Sequence, residues 1–233
     1  RPPREGFIGS NGLTLDSQGR LIIMQMGNGQ VARREPDGKI TVLADKYQGK
    51  RLNSPNDAVY KSDGSLYFTD PPYGFVKQDE DPLKELDFNG VYRLKDGRLT
   101  LLTKEMTRPN GIAFTPDEKY LYVANSDPAA KYWNRFEVKA DGTLGPAKKF
   151  FDVTAETGEG LPDGMKVDKQ GNVWATGPGG VWIFSAEGKH LGTIQPDEVP
   201  ANLHWGDADG KTLYMTARTG LYRVVTKAEG IRP

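Results

Sequence analysis

The sequence predicts an all-β protein of the β-propeller class. Three observations carry that expectation. One hairpin phrase recurs five times, further hairpins lie between the copies, and helical periodicity is nowhere sustained over ten residues. The copies are NGLTLDSQGRLIIM from Asn11, NDAVYKSDGSLYFT from Asn56, NGIAFTPDEKYLYVA from Asn110, DGMKVDKQGNVWAT from Asp163 and NLHWGDADGKTLYMT from Asn202. Each opens on Asn or Asp and runs through a short alternating strand, a turn containing Gly or Asp, and an apolar strand. The distance from the lead residue to Leu21, Leu66, Leu121, Val173 and Leu213 is 10, 10, 11, 10 and 11 residues.

Successive leads are 45, 54, 53 and 39 residues apart. Between them lie QVARREPDGKITVLAD, GVYRLKDGRLTLLTK, NRFEVKADGTLGPAKKF and GVWIFSAEGKHLGTI, and the last copy runs into GLYRVVTKAEGI. Each unit therefore holds about four short strands joined by Asp-Gly-type turns, the repeat of a propeller blade. The 28 Gly and 16 Pro are spread along the chain, as frequent turns require.

In a propeller the first strand of each blade is innermost, so the five leads are expected to converge at one mouth of a central channel. Asn and Asp are poor strand formers, and their oxygens at that end suit a cation, a ligand or water. Asn56, Asn110 and Asp163 each follow a proline, at positions 55, 109 and 162. Its fixed φ stiffens the approach. These three form the expected working set. Asn11 and Asn202, after Ser10 and Ala201, lack that feature.

Composition narrows the function. The 233-residue chain carries 31 Lys+Arg against 31 Asp+Glu, a formal net charge of zero. No global field draws it to nucleic acid or to an anionic membrane, and no apolar run approaches a membrane span. A soluble protein is expected, of periplasm or cytoplasm. The chain opens on RPPREGF without an apolar signal region. It has no cysteine, so disulfides, thiolate zinc sites and cysteine nucleophiles are excluded. Two histidines give little support to a His-ligated zinc site or a Ser-His-Asp triad.

Two amide carbonyls and a carboxylate are hard oxygen donors that suit Ca²⁺, Mg²⁺ or Mn²⁺. One carboxylate compensates a divalent charge poorly, so a second acid is expected. Such a site polarises a carbonyl and stabilises the oxyanion formed when water attacks. Asp163 is placed to accept a proton from that water.

LNSPNDAVYKSDGSLYFTDPPYG, RPNGIAFTPDEKYLYVANS, LPDGMKVDKQGNVWAT and the late GKTLYMTA resemble the SMP-30/gluconolactonase/regucalcin (LRE-like) family. SPND followed by FTDPPYG looks like its bacterial gluconolactonase branch. The resemblance covers essentially the whole chain. It implies a single six-bladed propeller domain over 1–233 that hydrolyses lactones with a divalent cation, Ca²⁺ first, with Zn²⁺, Mn²⁺ and Mg²⁺ as alternatives. The family's metal-binding Asn of RPNG and Asp of PDG fall on Asn110 and Asp163. Its substrate-side Asn of SPND falls on Asn56, which orients substrate or adds a ligand. Asp163, or a water on the cation, then delivers the nucleophile to a small-molecule lactone such as an aldonolactone. The family's remaining ligand is a Glu of an EGP motif, roughly one blade before the Asn11 copy. Glu5-Gly6 lies too close to Asn11 to match it, so the N-terminal blade is expected to be incomplete. An open propeller exposes strand edges, which favours self-association or completion by a further segment. Two other functions fit the same scaffold: a related esterase or phosphotriesterase, and a non-catalytic propeller that binds a small molecule or a protein.

Arg51 and Asn53, just before SPND, are candidate substrate contacts. The longest non-repeating segment, 69–88, reads as a lid carrying Tyr73 and Phe75, with Asp79-Glu80-Asp81 as a solvated face. His204, two residues past a lead, shares that lead's strand face and is a candidate channel residue. His190 beside a Gly-Lys turn is expected to be exposed, and GPGG at 177–180 to be a tight inter-strand turn. Trp174, Trp182, Tyr122 and Phe114 are expected in the core.

Overall fold

The computed structural model describes residues 9–231 and is built almost entirely from antiparallel sheet. The first sheet is β1 (Leu13–Leu15), β2 (Leu21–Gln25), β3 (Gln30–Arg34) and β4 (Ile40–Ala44). A short ribbon, β5 (Lys46–Tyr47) and β6 (Lys50–Arg51), leads to the second: β7 (Ala58–Tyr60), β8 (Leu66–Asp70), β9 (Gly90–Lys95) and β10 (Arg98–Thr103). The third is β11 (Pro109–Phe114), β12 (Tyr120–Asp127), β13 (Ala130–Glu137) and β14 (Lys148–Asp152). The fourth is β15 (Met165–Val167), β16 (Val173–Gly177), β17 (Gly180–Phe184) and β18 (His190–Ile194). The last holds β19 (Pro200–Gly206), β20 (Thr212–Ala217) and β21 (Leu221–Val225). In every sheet the strands lie in chain order, the meander of a propeller blade.

The fold is thus an all-β propeller fold with five blade sheets among the described residues, not six. The reason is the one legible in the repeat: each of the five phrases forms the first hairpin of one sheet, and no sixth phrase exists. Glu5 and Gly6 lie outside the described residues. Among the described residues the only helices are two single 3₁₀ turns, Met26–Asn28 and Gln78–Glu80, and no helix is long and apolar enough to cross a membrane.

The hairpins close because an aspartate at the turn binds backbone N–H groups two to four residues on. Asp16 Oδ1 accepts from the N–H groups of Gln18 (3.0 Å) and Arg20 (2.9 Å). Asp168 Oδ1 repeats this with Gln170 and Asn172, both at 2.9 Å. Asp63 likewise accepts from Ser65, ahead of which Gly64 sits at φ +80°, a conformation that favours glycine.

The chain divides into two compact units after Asn110. In the first, Ile22, Met24, Val31, Leu66, Phe68 and Tyr92 pack into one core, with Phe68 and Tyr92 stacked at 5.4 Å. In the second, Tyr122, Trp133, Trp182 and Phe184 head one cluster. Trp174, Leu203, Trp205 and Met215 head another, where Trp174 and Trp205 meet edge to face at 5.2 Å. Phe114 is buried, so all four aromatics expected in the core are found there. His190 is exposed as expected, with its ring 4.4 Å from that of Trp182. GPGG forms the β16–β17 turn.

Candidate active site at the strand heads

In the first unit the heads of the inner strands β1, β7 and β11 are fastened to one another through backbone. Gly12 N donates to Asn56 O at 2.7 Å, and Asn56 N to Thr69 O at 2.9 Å. The Thr69 hydroxyl donates to Asn110 O at 2.8 Å and accepts from Asp57 N at 3.3 Å. Thr69 therefore ties the SPND and RPNG motifs together. Asn56, Asp57 and Asn110 are all buried, at 3%, 2% and 4% exposure, while Asn11 is exposed.

The approach to Asn56 is braced. The Asp70 carboxylate receives Asn53 N on one oxygen (2.8 Å) and Ser54 N on the other (2.7 Å). Ser54 Oγ donates to Pro71 O and accepts from Gly74 N at 2.9 Å. Half-buried Tyr73 thus lies in the short segment between Pro71 and Gly74, both bonded to Ser54, which itself precedes Asn56 by two residues. Asn53 is fully buried, and its Nδ2 is shared among Asp70 O, Phe88 O and Asn89 Oδ1 at 2.9–3.1 Å. That amide braces the fold. Arg51 is half-buried and donates from Nη2 to Asn28 O at 3.1 Å.

The lid-like segment differs from expectation in one respect. Asp79 is an anchoring hub in addition to lying at the surface. It accepts from Asn89 Nδ2 at 2.8 Å and lies 3.7 Å from Lys84 Nζ and 3.6 Å from an Arg108 guanidinium nitrogen. Lys84 is almost wholly buried, with Nζ donating to Leu86 O at 2.7 Å. Burial pushes its pKa down, opposed by the charges of Asp79, Asp70 and Asp87. The segment is thereby fixed to the residue that opens RPNG.

In the second unit, Asp163 is half-buried, with its N–H donating to Thr176 O at 3.2 Å. Gly111 lies so close that a Cβ there would meet the Asp163 carbonyl and come 3.0 Å from Gly164 Cα. Gly164 N donates to Ala201 O at 2.9 Å, and a Cβ on Gly164 would overlap the Asn202 side chain. The inner strands of this unit are therefore adjacent at their heads too. Along β19 the half-buried Asn202 and His204 alternate with buried Leu203 and Trp205, as strand periodicity requires. His204 Nδ1 lies 2.7 Å from Trp205 O. A carbonyl only accepts, so Nδ1 carries the proton.

Sequence reasoning missed two features. The glycines after three leads, Gly12, Gly111 and Gly164, are sites of close backbone approach. Asp57 is a buried acid directly after Asn56. Its adjacency to a lead was the available signal. Among the described residues no three His, Cys, Asp or Glu side chains cluster as a metal site, so the heads offer mainly amide oxygen.

Residues 3–219 match the model of the SMP-30/Gluconolactonase/LRE-like region. The chain belongs to the SMP-30/gluconolactonase/LRE-like family. Within the family it is 41% identical to a gluconolactonase of Zymomonas mobilis, over 95% of this chain and 64% of that protein. It is 28% identical to the pentonolactonase XacC of Haloferax volcanii, over 90% of this chain and 67% of that one. The solved structure of a gluconolactonase from Xanthomonas campestris superposes with a TM-score of 0.81 at 33% identity, covering 95% of this chain and 72% of that one. The chain thus spans just under two thirds of the length of its Zymomonas relative.

Proposed function

We propose that this chain carries the site of a lactone hydrolase that opens sugar lactones to aldonic acids with a divalent cation, Ca²⁺ first. The observation that carries this reading is the 41% identity to a gluconolactonase across 95% of the chain. The residues fit a hard cation in kind: Asn56, Asn110 and Asp163 offer oxygen, and a buried carboxylate oxygen of Asp57 meets no hydrogen-bond partner.

In this reading Asn110 and Asp163 hold the cation and Asn56 orients the lactone or adds an oxygen. When bound, the cation supplies Lewis acidity at the lactone carbonyl. The Asp163 carboxylate accepts a proton from the attacking water and returns it to the ring oxygen as the acyl C–O bond breaks, so that this oxygen leaves as a hydroxyl on the same molecule. Tyr73, between the Ser54-bonded Pro71 and Gly74, and His204, on the Asn202 face of β19, are candidate substrate contacts. Arg51 and Asn53, whose polar groups serve the frame, act on the substrate through the position of the SPND turn.

Each turnover releases an acid, so hydrolysis is followed by proton release at constant pH. Glucono- and pentonolactones should be opened, EDTA should stop the reaction, and Asp163→Ala should lose roughly 10²-fold or more. Chelator-insensitive turnover or a fully active variant would end this reading.

A further inference from the structure

Asn89 is a buried amide, 7% exposed, just before β9. Its Nδ2 donates to Asp79 Oδ1 at 2.8 Å and to Thr107 O at 2.7 Å, and its Oδ1 accepts from Asn53 Nδ2 at 3.1 Å. A carboxylate and a carbonyl only accept, so the amide nitrogen faces Asp79 and Thr107 and both of its hydrogens are used. One side chain thus joins three segments distant along the chain: the approach to SPND, the 69–88 segment and the approach to RPNG. It meets the two approaches at equivalent places. Asn53 stands three residues before Asn56 and Thr107 three residues before Asn110, with Pro55 and Pro109 in between.

The far end of each approach is tied separately, by the Thr69 hydroxyl that donates to Asn110 O and accepts from Asp57 N. One tie sets how far apart two segments lie but lets them swing about it. A second tie three residues away sets their direction, and the fixed φ of each proline carries that direction to the next residue. We propose that Asn89 is a positioning residue of the lactone-opening reaction: it holds the two approaches at the angle from which the Asn56 and Asn110 side chains serve the substrate. Asp79 takes one of the two Asn89 N–H groups and lies 3.6 Å from an Arg108 guanidinium nitrogen, so the 69–88 segment is part of the same clamp. The inference rests on the lactonase reading of these heads and uses residues of the first unit alone.

Steady-state kinetics of the whole chain on a gluconolactone, at a temperature where thermal unfolding shows each variant folded, test it. Asn89→Ala should lower kcat roughly 10–100-fold with KM within about twofold, because the substrate contacts remain while the reacting groups are misaimed. Asp79→Asn keeps an acceptor for Asn89 and should hold kcat within about threefold, whereas Asp79→Ala should lose roughly 5–10-fold. Hydrogen exchange read by mass spectrometry, in EDTA and without substrate, should quicken over 53–57 and 107–110 in Asn89→Ala. Asp168→Asn is the control: it loosens the turn in which Asp168 Oδ2 accepts from Trp174 Nε1 at 3.0 Å, and should lower Tm without changing kcat. If Asn89→Ala does not fold, Asn89→Ser and the Asp79 pair decide. An Asn89 variant that loses Tm like the control but keeps its kcat overturns the proposal, because Asn89 then serves the frame only. A raised KM with kcat unchanged overturns it too, since Asn89 would then act on substrate binding. Wild type that opens no lactone removes the lactonase reading, and this inference with it.

Discussion

Gly12→Ala tests whether the strand heads are held together by backbone contact. The backbone of Gly12 has no positive φ, so alanine is conformationally acceptable and the effect is purely steric. A Cβ at Gly12 would lie 2.5 Å from Asn56 O and 2.9 Å from Asp57 Cα. Ordinary contact begins near 3.4 Å, so one strand must retreat by about 0.9 Å from the other. Neither moves easily: Gly12 N is bonded to Asn56 O, and Gly12 O accepts Met24 N at 3.1 Å. Overpacking typically costs about 1–3 kcal/mol, and a backbone-to-backbone clash belongs at the upper end. For a chain of this size about 2–3 kcal/mol lowers Tm by roughly 5–10 °C. Gly192→Ala is the control, because nothing lies within 4 Å of its Cβ position. It should stay within roughly 0.5 kcal/mol of wild type. Thermal unfolding followed by circular dichroism reads both variants. A Gly12→Ala protein that melts with the control refutes the close approach of β1 to the Asn56 head.

Two further outcomes follow from the same contacts. Burial pushes the Asp63 carboxyl up, but hydrogen bonds from Ser65 and the Lys95 ammonium outweigh it and hold its pKa at about 2, against an ordinary 3.8. The folded-state pKa is depressed, so its stabilising effect is complete above about pH 4 and lost as pH falls toward 2; Asp63→Asn should flatten the acid limb of a stability–pH curve there, and an unaltered limb would show that Asp63 is not coupled to folding. Asn53→Ala strips one donor from the carbonyls of Asp70 and Phe88 and from Asn89 Oδ1, which should cost about 3 kcal/mol and leave KM unchanged where the variant is folded; an unchanged Tm with a raised KM would instead make Asn53 a substrate contact.

Local pattern carried much of this molecule. The five phrases became the five first hairpins, because strand alternation and Asp-centred turns are decided within a dozen residues. The β19 face shared by Asn202 and His204 follows from the same period of two. What the sequence concealed arises between segments far apart along the chain. Nothing near Gly12 announces that Asn56 O will lie against it, so the glycine passes for turn chemistry. Asp79 looks like part of a solvated acidic run because Arg108, 29 residues on, is its partner only in three dimensions. Asp57 was overshadowed by Asn56, since a turn aspartate is ordinary and only its burial sets it apart.

The heads also show why side chain and frame separate so cleanly here. Asn56 is fixed through its backbone N–H to Thr69 and its carbonyl to Gly12; Asn110 is fixed through its carbonyl to the Thr69 hydroxyl; Asp163 is fixed through its N–H to Thr176. Peptide groups do the anchoring at each position. A substitution confined to the side chain therefore leaves the anchor in place, whereas an added Cβ on the following glycine moves it. Conservative changes at the leads should accordingly alter ligand binding more than stability, and changes at Gly12, Gly111 or Gly164 should alter both. This ordering follows from hydrogen bonds within each unit alone.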